Sequence, residues 1–205
     1  MRAGLAAVIG MAAPALFSQV IEFESGGLKY LTQTRNGMTI MFAHVPSQVR
    51  EYSIVMVAIS NGSTRAYSVK PTDFDYVRAG GSAIEATPPR RVIAELLDKA
   101  GRNDVIKLVT TYESTLYGAA RNASTNGYEQ RRQAHFAEGG GGRIKAAAAA
   151  SAIAFVETKL PPGASTDGAL FYLNPGKPLG PGKLLVRAAG TVFEFPTDGA
   201  LAQKP

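Results

Sequence analysis

The chain has 205 residues, with 22 Lys or Arg against 16 Asp or Glu, a formal net charge of +6 and 45% hydrophobic residues. That balance excludes wholesale disorder, and with no Cys the chain has no disulfide framework, thiolate zinc site, Cys nucleophile or Cys-linked lipid. A chain of this length buries roughly 70% of the surface its unfolded form exposes, so it needs no covalent staple.

Met1 and Arg2 precede an uncharged stretch, Ala3 to Leu16, closed by the small residues Ala13 and Ala15 around Pro14. A basic start and a short apolar core read as an export signal over residues 1–18, too short for a membrane span. Residues 19–205 then form one domain, expected in the periplasm or outside a bacterial cell.

Leu28 to Thr34 and Met38 to Val45 are β-branched and apolar runs separated by Arg35-Asn36-Gly37, and Asn-Gly tolerates the positive φ of a tight hairpin. Tyr52 to Ser60 is nearly continuous in apolar residues, as in a strand covered on both faces. Arg65 to Lys70 alternates until Pro71, and Phe74, Tyr76 and Val77 make a further short strand before Gly80-Gly81.

The pattern changes at Thr87-Pro88-Pro89. Val92, Ile93, Leu96 and Leu97, then Val105, Ile106, Leu108, Val109, Tyr112 and Leu116, recur at helical spacing, with Gly101 ending one helix and Asn103 or Asp104 capping the next. Residues 122–142 read as an Arg- and Gly-rich loop with a helical piece at Gln130 to Glu138, and Arg143 to Thr158 as a third helix rich in Ala. Strands return at Ala169 to Leu173, Leu184 to Arg187 and Thr191 to Phe195, and the tail from Asp198 is small and polar. Eight strands, five before and three after a helical block at about 88–158, predict a mainly β, immunoglobulin-like antiparallel sandwich with an inserted α-helical block.

The segments Ser53 to Ser63, Val69-Lys70-Pro71-Thr72-Asp73-Phe74, Thr158 to Gly163 and Gly168-Ala169-Leu170-Phe171-Tyr172 resemble small exported bacterial immunoglobulin-like β-sandwich proteins. The resemblance covers about half of the chain after the signal and rests on turns and core aromatics. It implies a binding, accessory or assembly module of the envelope. The helical block departs from that pattern.

No catalytic constellation stands out. His44 and His135 are remote in sequence and lack HxH or HxxxH partners, no Gly-x-Ser-x-Gly elbow is present, and both Gly-rich stretches fail the phosphate-loop pattern. Asp73 with Asp75, and Glu22 with Glu24, fall at strand spacing and read as solvated edge charges. No cofactor and no metal is called for.

Charge concentrates in the block: residues 19–87 are neutral, 88–158 carry +3 and 159–205 carry +2. There Arg121, Arg131, Arg132, Arg143 and Lys145 gather around Tyr128, His135 and Phe136, a candidate partner-contact set for a protein, a second copy of the chain, or an anionic surface or glycan. Export disfavours nucleic acid. The expected function is a non-catalytic interaction, accessory or assembly component of a bacterial envelope or extracellular structure. The alternative is a small-ligand binder or hydrolase with a site between sandwich and helices, lined by Tyr112, Tyr117, Arg121 and Tyr128.

Overall fold

The computed structural model describes residues 19–25, 28–118, 141–176 and 179–197. The signal segment, the helical piece at 130–138 and the tail from Asp198 lie outside the described residues. Seven strands come first: β1 (Ile21–Ser25), β2 (Leu28–Arg35), β3 (Met38–Val49), β4 (Tyr52–Asn61), β5 (Tyr67–Val69), β6 (Phe74–Arg78) and β7 (Ala83–Glu85). Among the described residues three helices follow: α1 (Pro89–Lys99), α2 (Arg102–Gly118) and α3 (Gly142–Ile153). The described chain ends with β8 (Thr158–Leu160), β9 (Ser165–Leu173), β10 (Gly182–Ala188) and β11 (Thr191–Pro196).

The fold is mostly β with antiparallel sheets. One sheet has the order β1-β2-β3-β4-β9, a second β11-β10-β6-β7, and β5 pairs with β8 as a short ribbon. Asn36 and Gly37 both take positive φ, 50° and 75°, so the β2–β3 hairpin closes through the turn that its Asn-Gly demands. The chain passes from the first sheet to the second between β4 and β6, returns through the helices to β9, and passes again between β9 and β10. Strands on either side of the helical block therefore pair directly, β4 with β9 and β6 with β10.

Three layers result. One face of the first sheet, through Tyr30, Tyr52, Ile54, Met56 and Phe171, shares a buried cluster with Val92, Leu96, Leu108 and the alanines of α3. Its other face, through Leu31, Ile40, Phe42, Val55, Val57 and Tyr172, shares a second cluster with Phe74, Tyr76, Leu184, Val186, Phe193 and Phe195 of the second sheet. Being covered on both faces explains why β4 is apolar almost without alternation. In the helix layer α3 packs on both α1 and α2, and its buried Ala146, Ala149 and Ala150 hold no side chain bulky enough to keep the neighbours apart.

Among the described residues there are eleven strands, against the expected eight. β1 and β7 give little sequence signal, because Ile21 to Glu24 of β1 are exposed and β7 has three residues. The third helix does not reach Thr158: it stops at Ile153, and Phe155 sits in the cluster between the sheets against Phe74, with ring centroids 5.3 Å apart. The chain there leaves the helix layer across the edge of β9, where Phe155 N–H donates to Ala169 O at 2.9 Å, and Thr158 to Leu160 pair with β5 instead. Local helix propensity runs on past Ile153, but burying an aromatic between two sheets outweighs it.

Candidate functional site

Of the contact set read from the sequence, Arg121, Tyr128, Arg131, Arg132, His135 and Phe136 lie outside the described residues. Arg143 and Lys145 are described, and both are exposed on the first turn of α3.

That turn abuts the junction of α1 and α2. A Cβ placed on Gly142 would come within 3.3 Å of Arg102 N and 3.7 Å of Gly101 C, so the start of α3 and the start of α2 meet at one joint. Gly101 is the residue at which the chain turns. Asp104 acts in the second helix's first turn, not as its cap: its carboxylate accepts the Gly101 N–H at 2.7 Å, reaching back to an N–H that the helix leaves unserved. The same Oδ2 accepts Arg50 Nε at 2.8 Å, and Arg50 also donates to Lys99 O, the last residue of α1. Arg50 sits at the β3–β4 turn with φ 54°, so one guanidinium fastens both helix ends to the tip of the central hairpin.

The joint is basic and partly apolar. Lys99, Arg102, Lys107, Arg143 and Lys145 are all exposed, against exposed Asp98 and the Arg50-bound Asp104. Leu97, Ile106 and Ile144 are 46%, 52% and 48% exposed, values that put large aliphatic groups in solvent. At 1.5 Å of rise per residue, all these positions fall within about 8 Å of the joint along their helix axes. Sequence reasoning marked Arg143 and Lys145 but read Leu97 and Ile106 only as members of the apolar helical repeat. A pair of adjacent apolar residues at helical spacing has one member turned off the buried face, and Leu96 and Leu97 divide in this way.

The other candidates do not assemble into a site. His44 lies opposite Val55 in the β3–β4 ladder, and His135 is outside the described residues. Asp73 accepts the Lys70 backbone N–H at 2.9 Å, whereas Asp75 pairs with Arg187, so the two carboxylates have separate structural roles. Among the described residues no group of three or more His, Cys, Asp or Glu is placed to hold a metal ion. Of the second Gly-rich stretch, Gly182 is held by close packing, because a Cβ there would stand 2.3 Å from Val77 O.

Inside the layer between the first sheet and the helices, Tyr52 and Glu95 meet. Tyr52 is buried against Phe171, and its hydroxyl finds no partner of full hydrogen-bond geometry. The Glu95 carboxylate lies beside it on α1. Contact with the Tyr52 hydroxyl holds the Glu95 pKa below its ordinary value of 4.5, with Arg91 contributing in the same direction, while burial pushes the Tyr52 phenol up. Tyr112 and Tyr117, named for a ligand site here, lie on α2. No described helix is long and apolar enough to cross a membrane.

No family model, curated protein or solved structure matches the chain.

Proposed function

We propose that the chain is a non-catalytic, exported contact module of the bacterial envelope, and that the joint of α1, α2 and α3 is its working surface, docking on an anionic membrane face. The observation that carries this is the composition of the joint: five exposed basic side chains, together with exposed Leu97, Ile106 and Ile144, fall within about 8 Å of it along their helix axes. Basic groups alone suit any polyanion. Exposed aliphatic groups among them suit a bilayer, where the cations meet headgroups and the aliphatics enter the acyl boundary.

The finer architecture belongs to the same reading. The pairing of β4 with β9, the order β7-β6-β10-β11, and the crossings from β4 to β6 and from β9 to β10 support reading the sandwich as immunoglobulin-like, with β4, β9, β7, β6, β10 and β11 taken as strands B, E, C′, C, F and G. The helical block then stands where such a domain carries strand D. The resemblance seen in the sequence, to exported domains of this kind, supports the envelope role. Against the ligand-binding or hydrolase reading stands the shared apolar cluster of sheet and helices, in which alanines of α3 meet Ile54, Met56 and Phe171.

Co-sedimentation with vesicles of phosphatidylglycerol and phosphatidylcholine, against phosphatidylcholine alone, tests the proposal. Binding should require the anionic lipid and weaken with salt. Each basic side chain near such a surface is worth about 1 kcal/mol, so R143Q/K145Q should weaken binding roughly thirtyfold. Equal partition to both vesicle types, or no loss in the double variant, would overturn it.

A further inference from the structure

The edges of the two sheets are not alike. The outer edge of β9 is covered by the chain entering and leaving the helical block, with Thr87 N–H donating to Phe171 O at 2.7 Å and Phe155 N–H to Ala169 O at 2.9 Å. On β11, Arg35 donates to Val192 O at 2.8 Å. β1 has β2 on one side and, among the described residues, no strand on the other. An uncovered strand edge presents a row of N–H and C=O groups that a further strand can pair with.

The side chains of β1 sort by face. Phe23 pairs with Tyr30 on the helix side, its ring stacked on the tyrosine at 5.2 Å, and Ile21 lies on the same side with 58% of its surface exposed. Glu22 and Glu24 lie on the other side, where Lys29 reaches Glu22 at 3.2 Å. A second copy of the chain fits this edge badly in every antiparallel register that pairs three or more residues of β1. Antiparallel self-pairing about a two-fold axis through the sheet puts residues of the same face opposite each other, so centring on Phe23 sets Glu22 against Glu24, and centring on either glutamate sets it against itself. Like charges directly opposite are destabilising.

We propose that β1 is a docking edge for an extended segment of another protein in which apolar residues alternate with Lys or Arg, added to the sheet as a further strand. Main-chain bonds supply the attachment, the partner's apolar side chains lie beside Ile21 and Phe23, and its cations lie opposite Glu22 and Glu24. The glutamates that oppose a second copy thus select the partner. This surface is independent of the helix joint.

A fluorescein-labelled peptide of alternating Lys and Val is the probe, with two comparisons: the same peptide with Glu for Lys, and one of equal composition with its Lys and Val in blocks. Anisotropy should show the alternating Lys peptide binding about tenfold more tightly than either, although the protein is itself basic, and β1 amides should gain protection from hydrogen exchange. E22K/E24K, with an unchanged urea midpoint and unchanged vesicle binding, should reverse the preference toward the Glu peptide. Equal binding of the blocked and alternating peptides, protection elsewhere, a preference unmoved by E22K/E24K, or no binding would each overturn the proposal.

Discussion

Asn61 shows how much one residue can hold. It is fully buried at the end of β4, its amide donates to Arg65 O at 2.7 Å and to Leu160 O at 2.9 Å, and its Oδ1 accepts the Ser63 N–H at 3.0 Å and the Ser63 hydroxyl at 2.6 Å. Its backbone joins the same junction, accepting Gly163 N–H and donating to Ala164 O. The end of β4, the loop after it and the β8–β9 turn are thereby one hydrogen-bonded unit. Asn61→Ala strands those groups and should cost about 2–4 kcal/mol, read as a lowered urea midpoint. Asn61→Asp, which aims a carboxylate at two carbonyls, should do no better. A wild-type midpoint in either variant would refute this account. In the sequence, Asn61-Gly62-Ser63 reads only as a turn, since nothing local says that the amide will meet Leu160.

At the scale of the element, the decisive feature is the crossing of the chain over β9. Ala154 and Phe155 run against this strand closely enough that a Cβ on Gly168 would come within 2.7 Å of both Phe155 N and Phe155 Cα. The atoms in the way are backbone, so no rotamer change relieves the clash. Gly168→Ala should therefore destabilise the fold by about 2–3 kcal/mol and pull Phe155 from its place against Phe74. Gly180→Ala, whose Cβ would meet nothing within 4 Å, should be near neutral and serves as the control in the same denaturation series. Strand positions were legible from β2 to β6 and from β9 to β11 because alternation and Asn-Gly, Pro and Gly punctuation are local signals. The end of α3 was not, because the Ala run gives no stop and the reason for stopping lies in the other sheet.

For the whole molecule, the question is how tightly the helix layer is tied to the sheets. Apolar contact does most of it, but Glu95 on α1 and Tyr52 on β4 add a link that depends on pH. Glu95 has a lowered pKa in the folded protein, first through the Tyr52 hydroxyl and then through Arg91, so the unfolded chain binds more protons in the acid range. The contribution is fully present above the ordinary value of 4.5 and is lost as pH falls through the lower folded value. Urea midpoints measured from about pH 6 down to about pH 3 should fall less steeply for Glu95→Gln than for the parent. Identical slopes would mean that Glu95 gains nothing from folding.

The sequence by itself determined the β-rich character, the hairpin at Asn36-Gly37, the helical block with its break at Gly101, and the basic charge of that block, because each depends on neighbouring residues or on simple counting. It also marked Arg143 and Lys145. Only the tertiary structure decided that β4 is sheathed on both faces, that α3 starts against Gly101 and Arg102, and that β1 has, among the described residues, no strand on its outer side. These depend on which surfaces meet across long stretches of chain. Burial of apolar area, which is non-directional, leaves that choice to the packing of the whole.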